Sequence, residues 1–304
     1  MHKSKIGFNP SVVVIVILAI PLLIRAETNR TWVSGVGDDA SSSCSRTAPC
    51  KTFQGALAQT STGGEINCVD SGSFGPVTIN KSVTIDGAGC SASMIAAGTN
   101  GISINITAAG DLAKTVRLRG LSINGKSTGT NGIRVVAALR VFIEEIVIDG
   151  FQNHGLQVEA SAVTVFVKDT TIRNVSKSGI NVEPSGNSPS AALWIERASL
   201  LNSFNGLFVG KGAHATIRDS DIIFHKNGAV AEKGELTMVN CLLTENTTAV
   251  NARNESTIRL SFVTVINNES GLVSDNKGKI ISFKNNVVHG NGTDGAPTSS
   301  LSPI

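Results

Sequence analysis

The chain has 304 residues, a formal net charge of +3, 31 glycines, no tyrosine and only 4% aromatic residues. Three basic residues and no acidic ones lie within residues 1–26, so the remainder carries 23 basic and 23 acidic residues. An electrically neutral body without a clustered basic surface argues against nucleic-acid binding. The abundance of glycine and of small and β-branched residues favours short strands joined by tight turns.

Residues 1–26 predict a secretory signal peptide. Two lysines form a basic start, an apolar run extends from Val12 to Ile24, and Ala26 offers a cleavage site. An uncleaved anchor is the alternative, but the run is shorter than the about 20 apolar residues that span a bilayer. We therefore expect a secreted, periplasmic or cell-surface protein with no membrane contact after cleavage.

The five cysteines are an odd number for an exported chain, so at least one of them is expected to lack an intramolecular partner. Cys44 and Cys50 flank a short loop and are the best disulfide candidates. Cys68 and Cys90 are a weaker second pair. Cys241 falls on an inward strand position, which predicts a buried free thiol that packs as a small apolar residue.

Alternating apolar segments recur at intervals of 21 to 28 residues and decide the fold class. Val141 is followed by Val165 and Met238 by Leu260 at equivalent places in the repeat. Each repeat holds three such segments, and alternation with period 2 is typical of strands rather than helices. Three strands per repeat at a nearly constant period predict an all-β parallel solenoid of about nine to ten coils.

Glycine and asparagine mark the turns between these strands. A glycine before the third strand predicts a backbone position with positive φ. Asparagines after the second strand are expected to bond from coil to coil as ladders. The glycines are Gly132, Gly155, Gly179, Gly206, Gly228 and Gly271, with Ala249 as the exception; the second set is Gly125, Gly150, Asn174, Asn202, Asn246, Asn268 and Asn291.

The two ends of the repeat array require caps, because terminal coils expose strand edges. Residues 27–64 predict an N-terminal cap in which Lys51–Gln59 forms a short helix laid over the first coil. The coils occupy residues 65–292. Residues 293–304 predict a C-terminal tail that is ragged or lightly packed.

The stretch Trp32–Asp39, followed by Cys44, Pro49–Phe53 and the pair Ala56-Leu57, resembles the cap of secreted bacterial right-handed β-helix proteins. The body resembles the pectin-lyase-like superfamily, which implies a right-handed parallel β-helix. That superfamily contains lyases, hydrolases, esterases, epimerases and adhesins, so the resemblance fixes no activity. The calcium-binding carboxylate cluster of pectate lyases and the motifs of polygalacturonases do not transfer to this sequence. We therefore expect no metal and no cofactor.

Two outward columns on the first strand carry the main binding hypothesis. Aromatic rings stack on sugars, so Phe142, Phe166 and Trp194 are candidate binding residues, with the loop Glu183–Ser190 as a wall. The alternative is ordinary stacking on a sheet surface. The first column reads Arg117, Phe142, Phe166, Trp194, Thr216, Thr237, Arg259; the second, which predicts a ladder of alternating charge, reads Arg119, Glu144, Lys168, Glu196, Arg218.

A histidine among carboxylates supplies the catalytic alternative. Asp219, Asp221, His225 and Glu245 fall on neighbouring coils, where His225 could act as a general base. A solvated turn explains the same residues without catalysis. The sequence therefore favours an exported, non-catalytic β-helix that binds a polysaccharide or cell-surface glycan. The alternatives are a polysaccharide lyase or glycoside hydrolase with an unfamiliar site, and a structural spacer.

Overall fold

The structure is a computed structural model that describes residues 1–2, 28–40, 43–186 and 189–302. Apart from its first two residues, the predicted signal peptide lies outside this range. The described chain winds through about 10 turns, with 26 strands and one short helix. Strands of successive turns pair in parallel around a continuous aliphatic core. The predicted all-β parallel solenoid is therefore confirmed.

Each turn contributes strands to three faces. The first-strand face contains β1 (Thr28–Val33), β2 (Thr60–Cys68), β5 (Val83–Asp86), β8 (Thr115–Arg119), β11 (Arg140–Glu144), β16 (Ala213–Arg218), β18 (Glu235–Val239), β21 (Thr257–Ser261), β24 (Lys279–Ser282) and β26 (Ser299–Ser300). The second-strand face contains β3 (Gly72–Ser73), β6 (Ala92–Ile95), β9 (Leu121–Gly129), β12 (Val147–Phe151), β19 (Leu242–Thr244), β22 (Thr264–Ile266) and β25 (Val287–Val288). The third-strand face contains β4 (Val77–Ile79), β7 (Ile102–Asn105), β10 (Ile133–Ala137), β13 (His154–Val158), β20 (Thr248–Arg253) and β23 (Ser270–Ser274). Three long strands bend through more than one face: β14 (Val163–Val182), β15 (Ala191–Val209) and β17 (Asp221–Glu232).

The helix α1 (Phe53–Gln59) covers the first coil, as the sequence predicts. It begins two residues later than expected because Thr52 is its N-cap and accepts a hydrogen bond from the Gly55 N–H. Its apolar residues are buried, and the Phe53 ring packs edge-on against Phe74 at 5.1 Å. This contact closes the N-terminal end of the core.

The C-terminal segment is more ordered than expected. Thr293 bridges to Ser270, and β26 adds a parallel strand beside β24. The Thr298 hydroxyl accepts a hydrogen bond from the Ile280 N–H. Residues 293–300 therefore extend the stack and partly cover its last edge.

The cysteines pair as the spacing favours. The structure joins Cys44 to Cys50 and Cys68 to Cys90. Cys241 is free and only 3% exposed, and burial raises the pKa of its thiol to about 11. It lies beside Ser220 and Val263 of the adjacent coils, since Asp221 pairs with Leu242 and Leu242 with Thr264 in register.

The glycines before the third strand serve a purpose different from the predicted one. None of them is among the described residues with positive φ. They are needed because the coils approach closely there. A Cβ on Gly155 would lie 2.7 Å from the Gly179 carbonyl oxygen, and one on Gly206 would lie 2.6 Å from that of Gly228. The same conflict recurs along the column, so the glycines set the distance between coils rather than the path of the chain.

Candidate functional site

The first-strand face brings the predicted aromatic residues into one column. Phe142 pairs in register with Arg117 and Phe166, and Phe166 pairs with Trp194. Successive coils of a parallel sheet lie about 4.8 Å apart, so side chains at equivalent positions stack directly on one another. The predicted order of this column is confirmed.

Two of the three rings stack on one another. Phe142 and Phe166 lie parallel, with centroids 4.9 Å apart and planes inclined by 6°. The Arg117 guanidinium caps the other face of Phe142 at 4.3 Å from its centroid. The column of rings ends at Trp194, which is 53% exposed, because Thr216 on the next coil is small. Trp194 therefore offers apolar surface to solvent.

The neighbouring charge column pairs only partly as predicted. Its register is as expected, and Glu196 binds Arg218 at 3.0 Å. The other acidic member, Glu144, instead binds Arg117 of the first column at 2.8 Å. Lys168 makes no ion pair in the described part of the chain. The expected ladder, in which every charge contacts its column neighbours, is thus broken by diagonal contacts to longer arginine side chains.

The pairing of Arg119 also differs from the predicted charge ladder. Arg119 bonds Glu145 at 3.2 Å and approaches Asp86 at 3.9 Å rather than pairing with Glu144. Arg197 bonds both Glu196 and Asp169. The hydrogen bond from Arg218, together with Arg197, holds the pKa of Glu196 below its usual value. Glu196 is therefore a fixed carboxylate, suited to accept hydrogen bonds and unsuited to supply a proton.

These two columns enclose a pocket of about 230 Å³, the first-strand pocket. Its floor and walls are strand residues, and its exposed lining is mainly apolar. The described residues of the loop Glu183–Ser190 do not line it, so the expected wall is absent from that part of the loop. The principal lining residues are Phe142, Phe166, Trp194, Lys168, Glu196 and Arg218. An aromatic surface edged by hydrogen-bonding groups can hold a sugar ring by its apolar face and its hydroxyls.

The structure separates His225 from the three carboxylates of the catalytic hypothesis. His225 is 3% exposed and points into the coil, away from the exposed Asp219, Asp221 and Glu245. The hydrogen bonds of its imidazole go to Ser203 and Leu200 instead. In the described structure these four candidates form no hydrogen bond or ion pair with one another. The reason is that residue 225 occupies a buried turn position, while the three carboxylates lie on outward positions.

That turn position belongs to a buried asparagine ladder. Asn246, Asn268 and Asn291 follow His225 on successive coils, each bonding to the coil behind it. The Asn246 amide donates to the Ile222 carbonyl and accepts from the His225 backbone N–H. His225 reproduces this pattern, since Nε2 lies 2.9 Å from the Leu200 carbonyl and Nδ1 accepts from the Ser203 N–H. The histidine is therefore a structural substitute for asparagine, with its proton on Nε2.

Comparison with known proteins agrees with this architecture. The family of right-handed β-helix regions matches residues 188–302. No curated protein sequence matches the chain. The chain has a right-handed parallel β-helix fold.

Solved structures share this fold at low sequence identity. Pectate lyase Pel9A is similar with a TM-score of 0.54 and 14% identity, over 84% of this chain and 68% of that one. The enzymatically active domain of tailspike protein 2 from bacteriophage CBA120 gives a TM-score of 0.57 and 14% identity, over 82% of this chain and 43% of that one. Full-length tailspike protein 2, from an Escherichia coli O157:H7 bacteriophage, gives 0.51 and 12%, over 82% and 38%. The chain thus spans less than half the length of the tailspike chains.

Proposed function

We propose that this protein is exported and binds a polysaccharide or cell-surface glycan through the first-strand pocket. The observation that carries the proposal is the coincidence of the stacked rings, the exposed Trp194 and the hydrogen-bonding charges in one pocket. The two disulfides suit an oxidising compartment outside the cytosol. The fold is shared with a pectate lyase, a protein named for its polysaccharide substrate.

The site is suited to binding rather than to cleavage by paired carboxylic acids. Such cleavage needs one carboxyl group with a raised pKa as the proton donor. Glu144 and Glu196 are both held in ion pairs with arginine, and the pKa of Glu196 is lowered. We therefore propose that the carboxylates accept hydrogen bonds from glycan hydroxyls, while the rings contact the apolar face of the sugar.

The test is binding of a panel of soluble polysaccharides by affinity electrophoresis. Trp194→Ala is expected to weaken binding about tenfold, since an aromatic contact contributes about 0.5–1.5 kcal/mol beyond its buried area. Phe262→Ala is the matched control because Phe262 is similarly exposed, at 63%, and lies outside the pocket. Unchanged binding by Trp194→Ala, or equal loss in the control, would refute the assignment. Incubation of the same polymers with the protein, with and without calcium, measures any cleavage directly.

A further inference from the structure

A second pocket opens on the third-strand face, separate from the aromatic column. This third-strand pocket has a volume of about 270 Å³. Ligand sites for drug-sized molecules hold about 300–1,000 Å³, so the pocket suits one small ring. The lining residues that carry the argument are polar: Asn131, Arg134, Asn153, His154, Gln157 and Glu159.

The charges in this pocket cancel. Arg134 donates two hydrogen bonds to Glu159, from Nε to Oε1 at 3.1 Å and from Nη2 to Oε2 at 2.8 Å. Burial, with a contribution from Lys177, lowers the pKa of His154 to about 4, so its imidazole is neutral at pH 7. The remaining lining groups are amides and a hydroxyl. Among the residues that line the pocket, an ion would therefore find no uncompensated charge to pair with.

Three hydrogen-bond donors in the pocket have no acceptor. The Gln157 oxygen is occupied by the Asn181 amide at 2.9 Å, but its Nε2 donates to no group in the described structure. Nη1 of Arg134 is equally unused, because only Nε and Nη2 reach Glu159. The Nδ1 atom of His154 is buried and has no hydrogen-bond partner among the described residues, whereas Nε2 is accessible from the pocket. The neutral imidazole therefore carries its proton on Nε2, where the N–H can donate to water or a ligand, because a buried N–H without an acceptor would cost free energy.

We propose that the third-strand pocket binds an uncharged, hydroxyl-rich sugar ring. Arg134, Gln157 and His154 donate to the ring and hydroxyl oxygens of the sugar, which present several acceptors close together. Asn153 also lines the pocket, and its amide can bond further hydroxyls. Because this pocket lies on another face, the inference is independent of the first-strand pocket.

Titration of the ¹⁵N-labelled protein tests this proposal by NMR. The probes are glucose, galactose, mannose and N-acetylglucosamine, with glucuronate as the charged comparison. At least one neutral sugar should shift the Gln157 amide and the His154 imidazole signals saturably, and glucuronate should bind more weakly. Gln157→Glu keeps an oxygen for the Asn181 amide but removes the free donor, so binding should weaken about tenfold.

Two control variants separate this site from the other pocket and from a simple change of charge. Gln152→Glu makes the same substitution on the same coil at an exposed position outside the pocket, and should bind like the wild type. Trp194→Ala should also leave the shifts unchanged. Four outcomes would overturn the proposal: no saturable shift with any neutral sugar, tighter binding of glucuronate, equal weakening by Gln152→Glu, or loss of the shifts in Trp194→Ala.

Discussion

A single methyl group at Gly155 tests how tightly the coils stack. A Cβ there would lie 2.2 Å from the Ile172 Cγ2 atom and 2.7 Å from the Gly179 carbonyl oxygen. Non-bonded carbon atoms pack at about 3.5–4.0 Å, so each neighbour would have to retreat by about 1 Å. Ile172 is buried in the core, and the carbonyl belongs to the backbone of the next coil. Neither can move without disturbing the parallel pairing around it.

Gly155→Ala is therefore expected to lower the free energy of unfolding by about 1–3 kcal/mol, the usual cost of overpacking. In a chain of this size Tm falls by about 2–4 °C for each kcal/mol. Thermal denaturation followed by far-ultraviolet circular dichroism measures the change. Gly110→Ala is the control, since nothing lies within 4 Å of a Cβ at Gly110 and its φ is not positive. It should be neutral or stabilise the protein by up to about 1 kcal/mol. Equal Tm values for the two variants would refute the close approach.

Three further predictions concern buried groups. Cys241 should react slowly with thiol reagents in the native protein; Cys241→Val should be tolerated, and Cys241→Arg should prevent stable folding because an unpaired charge would enter the core. Despite burial, hydrogen bonds from Ser82 and Lys114 keep the pKa of Asp111 below its usual value. The stabilisation that ionised Asp111 provides is therefore complete above about pH 4 and is lost as the pH falls through the lower folded pKa. Asp111→Asn should therefore show a smaller loss of stability at acidic pH when urea unfolding is measured at a series of pH values. The free energy of unfolding of His225→Asn should lie within about 1 kcal/mol of the wild-type value. His225→Leu should lower it by about 1–3 kcal/mol for each hydrogen-bond partner left unsatisfied. Equal urea midpoints for the two variants would contradict the role of His225 in the ladder.

The sequence was sufficient to predict the register of the first-strand face. Strict alternation fixes which residues point outward, and the repeat spacing fixes which of them share a column. For this reason the sequence pattern alone places Phe142, Phe166 and Trp194 in one column. The diagonal bond between Arg117 and Glu144 cannot be predicted in this way, because it depends on side-chain length and rotamer rather than on register.

Other features depend on distances that a repeat pattern does not contain. The periodic glycines showed where a Cβ is excluded, but a positive φ and a close neighbour select glycine equally well from sequence. His225 was misread because it was compared with nearby carboxylates. Its spacing of 21 residues from Asn246 was the signal that it belongs to the buried ladder. The repeat pattern does not predict the third-strand pocket, because its donors come from two coils and no single motif contains them.

The links that return the chain from the third face to the first vary in length from coil to coil. The link between Val182 and Ala191 is longer than that between Val209 and Ala213, yet β14 and β15 stay in register on both sides of it. Each coil is held by its own pairing with its neighbours, so the length of this link does not shift the columns. A foreign peptide or a whole domain grafted at this side would have both ends anchored in the sheet. This link can therefore carry an inserted segment, while the binding columns on the strand faces are engineered separately.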